Sequence, residues 1–352
     1  MTMAKPSHIL ALRFSALGDV AMTVPVIKLL LQQYPALQLT IVTTPFHKPL
    51  FAGIERLHLY EADFKNKFIG LKGLYQLASR LNKEIHFDAV ADLHDVLRSK
   101  IIRKLLRCNT VAVIHKGRKQ KKELTRKKNK KLRPLKSSFE RYADVFESLG
   151  YPVKLFKQGG ITKLIADHSL LPVTHQNKIF VGIAPFAMHA AKMYALEKMK
   201  TVVQGLAKTG NVEIFLFGSK AEAPLMQEWQ NFSDHVHLVA GKLSFEKELN
   251  LISQMDVMVS MDSANMHLAS MYDIPVVSLW GGTHPYLGFY GWGQNIDYAL
   301  QLNLPCRPSS VFGAKDCPVH GKAGCMQDIT PEMVIEKIFD AHQFNLSEKF
   351  KK

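Results

Sequence analysis

Asp19 is the first residue whose setting suggests chemistry. It stands in Arg13-Phe14-Ser15-Ala16-Leu17-Gly18-Asp19-Val20, where an apolar run ends, a glycine turns the chain and an acid opens a helical pattern. Helix starts leave amide donors unpaired, and Asp is a preferred residue for satisfying them. Local chemistry therefore reads Asp19 first as a helix cap. A carboxylate at the carboxyl edge of a strand can also act as a general base facing a cleft. The segment is not GxGxxG, and GxxxxGK followed by Ser or Thr occurs nowhere, so neither nucleotide fingerprint applies.

A second constellation begins at Asp256, where a hydrophobic run leads to Ser260 and then Asp262-Ser263-Ala264-Asn265-Met266-His267. Asp262 or Ser263 can cap the helix that follows. Its free amides and positive dipole end suit a diphosphate, and His267 could add a hydrogen bond or a charge. The plainer alternative is a capped helix with His267 packed among its neighbours. Lys192, in the loop after Gly182–Pro185, could neutralise a phosphate, although a lone lysine is more often a solvated charge. Glu222, after Phe217-Gly218-Ser219, could accept from ribose hydroxyls or simply favour the helix start at Ala221. Gly281-Gly282-Thr283-His284 permits close backbone approach to a ligand, while the nearby Tyr286, Tyr290 and Trp292 could equally be packing. Cys306, Cys317, His320 and Cys325 invite a metal reading, but their spacing fits no usual zinc pattern, so reduced structural thiols and no metal site are expected.

The elements that must position these residues alternate between short apolar runs and helical patterns. Strands are expected at His8–Phe14, Leu39–Thr43, Arg56–Tyr60, Phe87–Leu93 and Thr110–Ile114, with helices over Val20–Tyr34 (kinked at Pro25), Phe68–Leu81, Val96–Leu106 and Phe139–Leu149. A second series follows at Lys178–Ala184, Val212–Phe217, Val236–Leu238, Asp256–Ser260 and Pro275–Trp280. Its helices are Leu196–Lys208, Ala221–Gln230, Phe245–Gln254, Ala264–Met271 and Pro331–Phe344. Such alternation implies parallel sheets with right-handed crossovers, whose ligands sit at the carboxyl ends of strands. The stretch from Tyr151 to about Asn177 reads as the connection, with a strand considered at Gly160–Ile165. The expected class is α/β, with two Rossmann-like domains facing a cleft: residues 1–165 and residues 175–352.

With 352 residues, two domains are the natural partition. The formal charge is +16, and Lys116–Lys136 holds twelve Lys or Arg against the single acid Glu123. So local an excess, lacking aromatics, reads as a flexible basic arm (about 115–136) that meets something anionic. Four cysteines without a CxxC pair argue for a reducing compartment. No uncharged apolar run is long enough to span a bilayer. The first apolar stretch contains Arg13 and runs into Gly18-Asp19, unlike a signal peptide, so a cytoplasmic location is expected.

Each motif alone is weak, but their order is specific. Ser15-Ala16-Leu17-Gly18-Asp19 with Thr23-Val24-Pro25 resembles the opening of the glycosyltransferase family 9 proteins, the ADP-heptose:lipopolysaccharide heptosyltransferases. Ala240-Gly241-Lys242-Leu243-Ser244, Asp262-Ser263, Met266-His267-Leu268-Ala269, Pro275-Val276-Val277 and Gly282-Thr283 are similar to that family's C-terminal signature. The tail Leu304-Pro305-Cys306, Cys317-Pro318, Cys325-Met326 and Asp328-Ile329-Thr330-Pro331 has the same character. The resemblance implies a GT-B fold, with an N-terminal acceptor domain and a C-terminal nucleotide-sugar domain. It also implies inverting transfer of a heptose or related sugar, without metal or cofactor, to the lipopolysaccharide inner core or a related glycolipid. Asp19 then becomes the catalytic base. Lys192, Glu222, Asp262, Ser263, Ala264, Asn265 and His267 bind the donor, and Ser15, Gly18 and Thr283 lie near the acceptor side. The chain departs from the pattern at Ala264, where the family has Gly, at Phe186-Ala187-Met188, at Lys192-Met193-Tyr194 and at His284.

The expected partners are ADP-heptose, an anionic glycolipid acceptor and the inner face of the cytoplasmic membrane, met through Lys116–Lys136. Three rivals carry less of the sequence. A nucleic-acid-binding protein rests on the basic arm alone, which lacks a stacking platform. A non-catalytic nucleotide-sugar-binding relative rests on the altered Phe186–Tyr194 loop. A nicotinamide-dependent enzyme lacks its glycine fingerprint.

Overall fold

The structure is a computed structural model and describes residues 5–156, 163–171, 178–322 and 324–349. Its contacts divide the chain into two units. The first is Met1–Lys116 with Lys136–Gly159, and the second is Gly117–Leu135 with Gly160–Lys352.

The first unit holds a five-stranded sheet of β1 (His8–Leu12), β2 (Gln38–Thr43), β3 (Leu57–Glu61), β4 (Ala89–Asp92) and β5 (Val111–Val113), ordered β3-β2-β1-β4-β5. All pairings are parallel, with Ile9 opposite both Leu39 and Ala89. Ile9, Leu10, Ala11 and Leu12 are wholly buried, as an unbroken apolar run in a central parallel strand must be. The chain runs outward from β1 to β3, then returns to the other side of β1. The strand order therefore reverses between β1 and β4, and their carboxyl ends frame the crevice of a doubly wound sheet.

The expected helix over Val20–Tyr34 is two helices, α1 (Leu17–Ala21) and α2 (Thr23–Gln33), meeting at Met22. Pro25 causes the break upstream of itself, because its ring would collide with the carbonyl four residues back, at Ala21. The unit also contains α3 (Gly70–Glu84) and α4 (Leu97–Leu105).

The second unit holds a six-stranded parallel sheet, ordered β11-β10-β9-β6-β7-β8. Its strands are β6 (Ile179–Ala184), β7 (Val212–Leu216), β8 (Val236–Leu238), β9 (Val257–Met261), β10 (Val276–Leu279) and the two-residue β11 (Ala299–Leu300), which the sequence did not signal. The order here reverses between β6 and β9. Helices α7 (Leu196–Lys208), α8 (Phe245–Ser253), α9 (Ala264–Ser270) and α10 (Pro331–Lys349) fall where the apolar periodicity put them. The α-helix expected at Ala221–Gln230 is instead a 3-10 segment, Ala223–Phe232. Of the strand considered at Gly160–Ile165, residues 160–162 lie outside the described residues. The rest is not a strand, since side chains rather than a neighbouring strand take its carbonyls: Gln254 Nε2 donates to Leu164 O and Asn250 Nδ2 to Ile165 O.

The basic arm is not the free loop expected. It forms α5 (Arg118–Leu124) and belongs to the second unit. Leu124 is wholly buried, and the Lys121 ammonium sits 3.9 Å from the centre of the Phe289 ring. Lys130 Nζ donates to the carbonyls of Pro305 and Pro308, and Leu135 N to Tyr286 O. The arm lacks aromatics of its own but borrows Phe289, a contact no local composition could show. Among the described residues, no helix is long and apolar enough to cross a membrane. The first unit resumes with α6 (Ser138–Glu147), started by a reciprocal cap between Ser137 and Glu140.

Candidate active site

In the first unit, Asp19 lies in the segment that follows β1. It does not cap α1: the N-cap is Ala16, with no side-chain cap bond. The capping expectation fails because a nearer partner takes the carboxylate. Arg13 NH2 lies 2.7 Å from Asp19 Oδ2. Arg13 is itself buried, donates through NH1 to Leu93 O at 2.7 Å and lies over the Tyr142 ring. Tyr142 in turn donates its hydroxyl to the Asp19 carbonyl at 3.3 Å. Asp19 is thus held at both backbone and side chain, while its carboxylate keeps 37% exposure. An arginine partner fixes the direction of a carboxylate.

The acceptor of Arg13, Leu93 O, is positioned by Asp92. This fully buried carboxylate ends β4, pairs with Arg103 at 2.7 Å and accepts from the His94 and Asp95 amides and the Ser99 hydroxyl. His94 accepts from Phe14 N, and burial together with the Arg13 guanidinium pushes its imidazole down to about 3. His47 is likewise pushed down to about 4, by burial and then Arg13. Two neutral histidines therefore stand near the arginine. Ser15 is exposed and Gly18 half-buried beside Asp19. Sequence reasoning missed Asp92, His94 and Tyr142 as supports. The only local signal was a buried-strand pattern ending in an acid.

In the second unit, the reversal between β6 and β9 brings together two residues that are far apart in sequence. The loop after β6 ends in a short 3-10 turn, Ala190–Lys192. Lys192 Nζ lies 2.8 Å from Asp262 Oδ2, with side-chain exposures of 15% and 4%. The solvated-lysine alternative is thereby excluded. Ser263 occupies the N-cap of α9 without capping it, and its hydroxyl pairs with that of Ser260 at 3.1 Å. Ala264 and Asn265 are half-exposed at the helix start, and His267 is buried behind them. Glu222 stands at the N-cap of the 3-10 segment after β7 and accepts from Ser219 N at 2.7 Å, so it shapes its own turn rather than joining the Lys192–Asp262 pair.

The glycines at Gly281 and Gly282 allow a close backbone approach to the lysine loop. Gly282 N donates to Ala191 O at 2.7 Å, and a Cβ on Gly281 would sit 2.4 Å from that oxygen. This close approach seats Lys192 beside β10. Thr283 is wholly buried, and its hydroxyl has no hydrogen-bond partner among the described residues. Arg307, also buried, donates to Gly281 O and Thr283 O, and burial lowers its pKa to about 10. His284 accepts from Tyr286 N, and burial, then Arg307 and Lys130, push it down to about 4. It is therefore neutral. Beside the arm lies a cavity of about 860 Å³, lined in part by Lys122, Arg126, Lys127, Lys130 and Lys315. The spacing of Cys306, Cys317, His320 and Cys325 suggested no common site, yet the fold gathers all four.

Residues 74–316 match the profile of glycosyltransferase family 9 (heptosyltransferase). The chain belongs to that family. Among curated relatives, family 9 similarity extends to lipooligosaccharide heptosyltransferase 2 of Campylobacter jejuni subsp. jejuni serotype O:6, 30% identical over 132 residues, 36% of this chain and 40% of that protein. The chain thus matches less than half the length of that relative. Lipopolysaccharide core heptosyltransferase OpsX of Haemophilus influenzae is 24% identical over 294 residues, 80% of each chain. The solved structure of E. coli ADP-heptose lps heptosyltransferase II superposes with a TM-score of 0.67 at 16% identity, covering 96% of this chain and 99% of that one. At that identity the likeness is one of fold, and the fold is the GT-B class that the sequence resemblance implied.

Proposed function

We propose that this family 9 protein is a glycosyltransferase. Its donor is a nucleotide-diphosphate sugar, ADP-heptose. Its acceptor is the lipopolysaccharide inner core or a related glycolipid. Transfer inverts the anomeric centre and uses no metal at the diphosphate. The observation that carries the reading is the buried Lys192–Asp262 pair at the reversal of the second sheet. In a doubly wound sheet that position is where a ligand lies.

The first unit supplies acceptor chemistry and the second supplies the donor site. Asp19 takes the proton of the acceptor hydroxyl as its oxygen bonds to the anomeric carbon, and the bond from that carbon to the diphosphate breaks. Arg13 keeps the Asp19 carboxylate aimed. Lys192 meets the charge that develops on the departing diphosphate. Asp262 holds the lysine in place beforehand and can accept from sugar hydroxyls. The amides at the start of α9, Asn265 and His267 offer further donors, and Glu222 keeps one oxygen for a ribose hydroxyl. The cationic cavity beside the arm supports contact with phosphates of the acceptor or of anionic lipid at the cytoplasmic face of the inner membrane.

Thermal unfolding in the presence of ADP-, GDP- and UDP-sugars tests the donor assignment. ADP-heptose should raise the melting temperature more than the others do. Equal stabilisation by all three, or by none, would count against it.

A further inference from the structure

Cys306, Cys317, His320 and Cys325 lie outside the residues assigned to transfer, in the segment between β11 and α10. Each offers one ligand atom, and the four atoms all lie within 4.8 Å of one another. Cys306 Sγ is 3.3 Å from His320 Nδ1 and 4.0 Å from Cys325 Sγ, and Cys317 Sγ is 3.7 Å from the same ring nitrogen. A tetrahedral zinc ion with bonds of about 2.3 Å to sulfur and about 2.0–2.1 Å to nitrogen separates its ligands by roughly 3.5–3.8 Å. The four atoms already stand close to that spacing.

The backbone is shaped to present them. Cys317 and Gly321 exchange hydrogen bonds in both directions, and Gly321 turns the chain at φ +66°. That turn sets Cys317 and His320 side by side, and the His320 amide points at Cys317 Sγ across 3.5 Å. An amide donor aimed at sulfur favours a thiolate, the form that binds metal. Cys317 and Cys325 are buried and Cys306 is half-buried, so three of the ligands are shielded from solvent.

We propose that these four residues bind one zinc ion in a closed structural site. Four protein ligands leave no open position for a substrate, which separates this site from the transfer chemistry. The thiols lose their protons as the metal binds. The site also has a mechanical consequence. Arg307 follows Cys306 directly and donates to Gly281 O and Thr283 O, while Ser309 N donates to Gly282 O. Met326, next to Cys325, packs against Gly281. Zinc would therefore clamp both sides of the Gly281–Thr283 turn, which seats the Lys192 loop.

Elemental analysis of the full chain, purified under reducing conditions, should find about one zinc per chain. Cys306→Ser with Cys325→Ser should lower that content roughly tenfold or more. Chain stripped by a chelator and refilled with cobalt should show thiolate-to-cobalt charge-transfer absorption, absent from the double variant. If the double variant fails to fold, His320→Ala at the exposed ligand should still lose zinc faster to a competing chelator. Stripped protein that takes up no cobalt, metal content unchanged in the variants, or a Cys306–Cys325 disulfide in freshly purified protein would overturn the proposal. Iron in place of zinc would uphold the four-residue cage and overturn the metal assigned to it.

Discussion

Lys192 and Asp262 meet at 2.8 Å, 70 positions apart in the chain, at the point where the second sheet reverses its strand order. The lysine comes from the loop after β6 and the acid from the end of β9. Neither is solvated enough to do without the other, and removing one partner of such a pair leaves the second charge stranded.

Lys192→Met should therefore destabilise the protein by about 3 kcal/mol. Adding Asp262→Asn should restore most of that loss. Urea unfolding checks both. The double variant should nevertheless give no thermal shift with ADP-heptose, because the cation meeting the diphosphate is gone. A single variant as stable as the parent would show that the pair is not a buried one in solution.

Asp19→Asn should keep the ADP-heptose thermal shift and lower the turnover number roughly 10²–10⁴-fold, the range for loss of a general base. Arg13→Leu should lower turnover with little change in the donor shift, because it releases the Asp19 carboxylate without touching the second unit's donor residues. Retained turnover in Asp19→Asn would remove this residue as the base.

His47 and His94 give the stability a pH dependence of known sign. Their pKa values in the folded chain are about 4 and about 3, against 6.5 when unfolded. Between those limits the unfolded chain binds more protons, so stability is full above pH 6.5 and falls as pH drops towards 3. Each histidine can contribute up to about 1.4 kcal/mol per pH unit within its window. His94→Gln should flatten the slope between pH 6 and 4, read by urea unfolding across that range; an unchanged slope would exclude His94 as a source.

The arm's order dictates how its role is tested. Deleting residues 117–135 would uncover the surface that Leu124 and Lys121 cover. Reversing charge at Lys122, Arg126 and Lys127, which line the cationic cavity, leaves that packing intact. The triple Glu variant should lose binding to vesicles containing anionic lipid, most visibly at low salt, while melting within a few degrees of the parent. Undiminished vesicle binding would separate the arm from the membrane.

The sequence by itself determined the α/β class, both parallel sheets and nearly every strand, because fully buried parallel strands are written as apolar runs bounded by turn residues. It also singled out Asp19, Lys192 and Asp262, through the order of short motifs along the chain. Only the tertiary structure decided what these residues touch. The Arg13–Asp19 and Lys192–Asp262 pairs arise where strand order reverses, and strand order is a property of the whole sheet. Local propensity favoured a cap for Asp19, but a buried guanidinium made a stronger partner. The same holds for the arm, whose Lys121 finds Phe289 about 170 residues away, and for Cys306, Cys317, His320 and Cys325. Spacing rules describe ligands carried on short local loops. A site closed by a long irregular segment depends on where the chain folds back, and that is settled by packing.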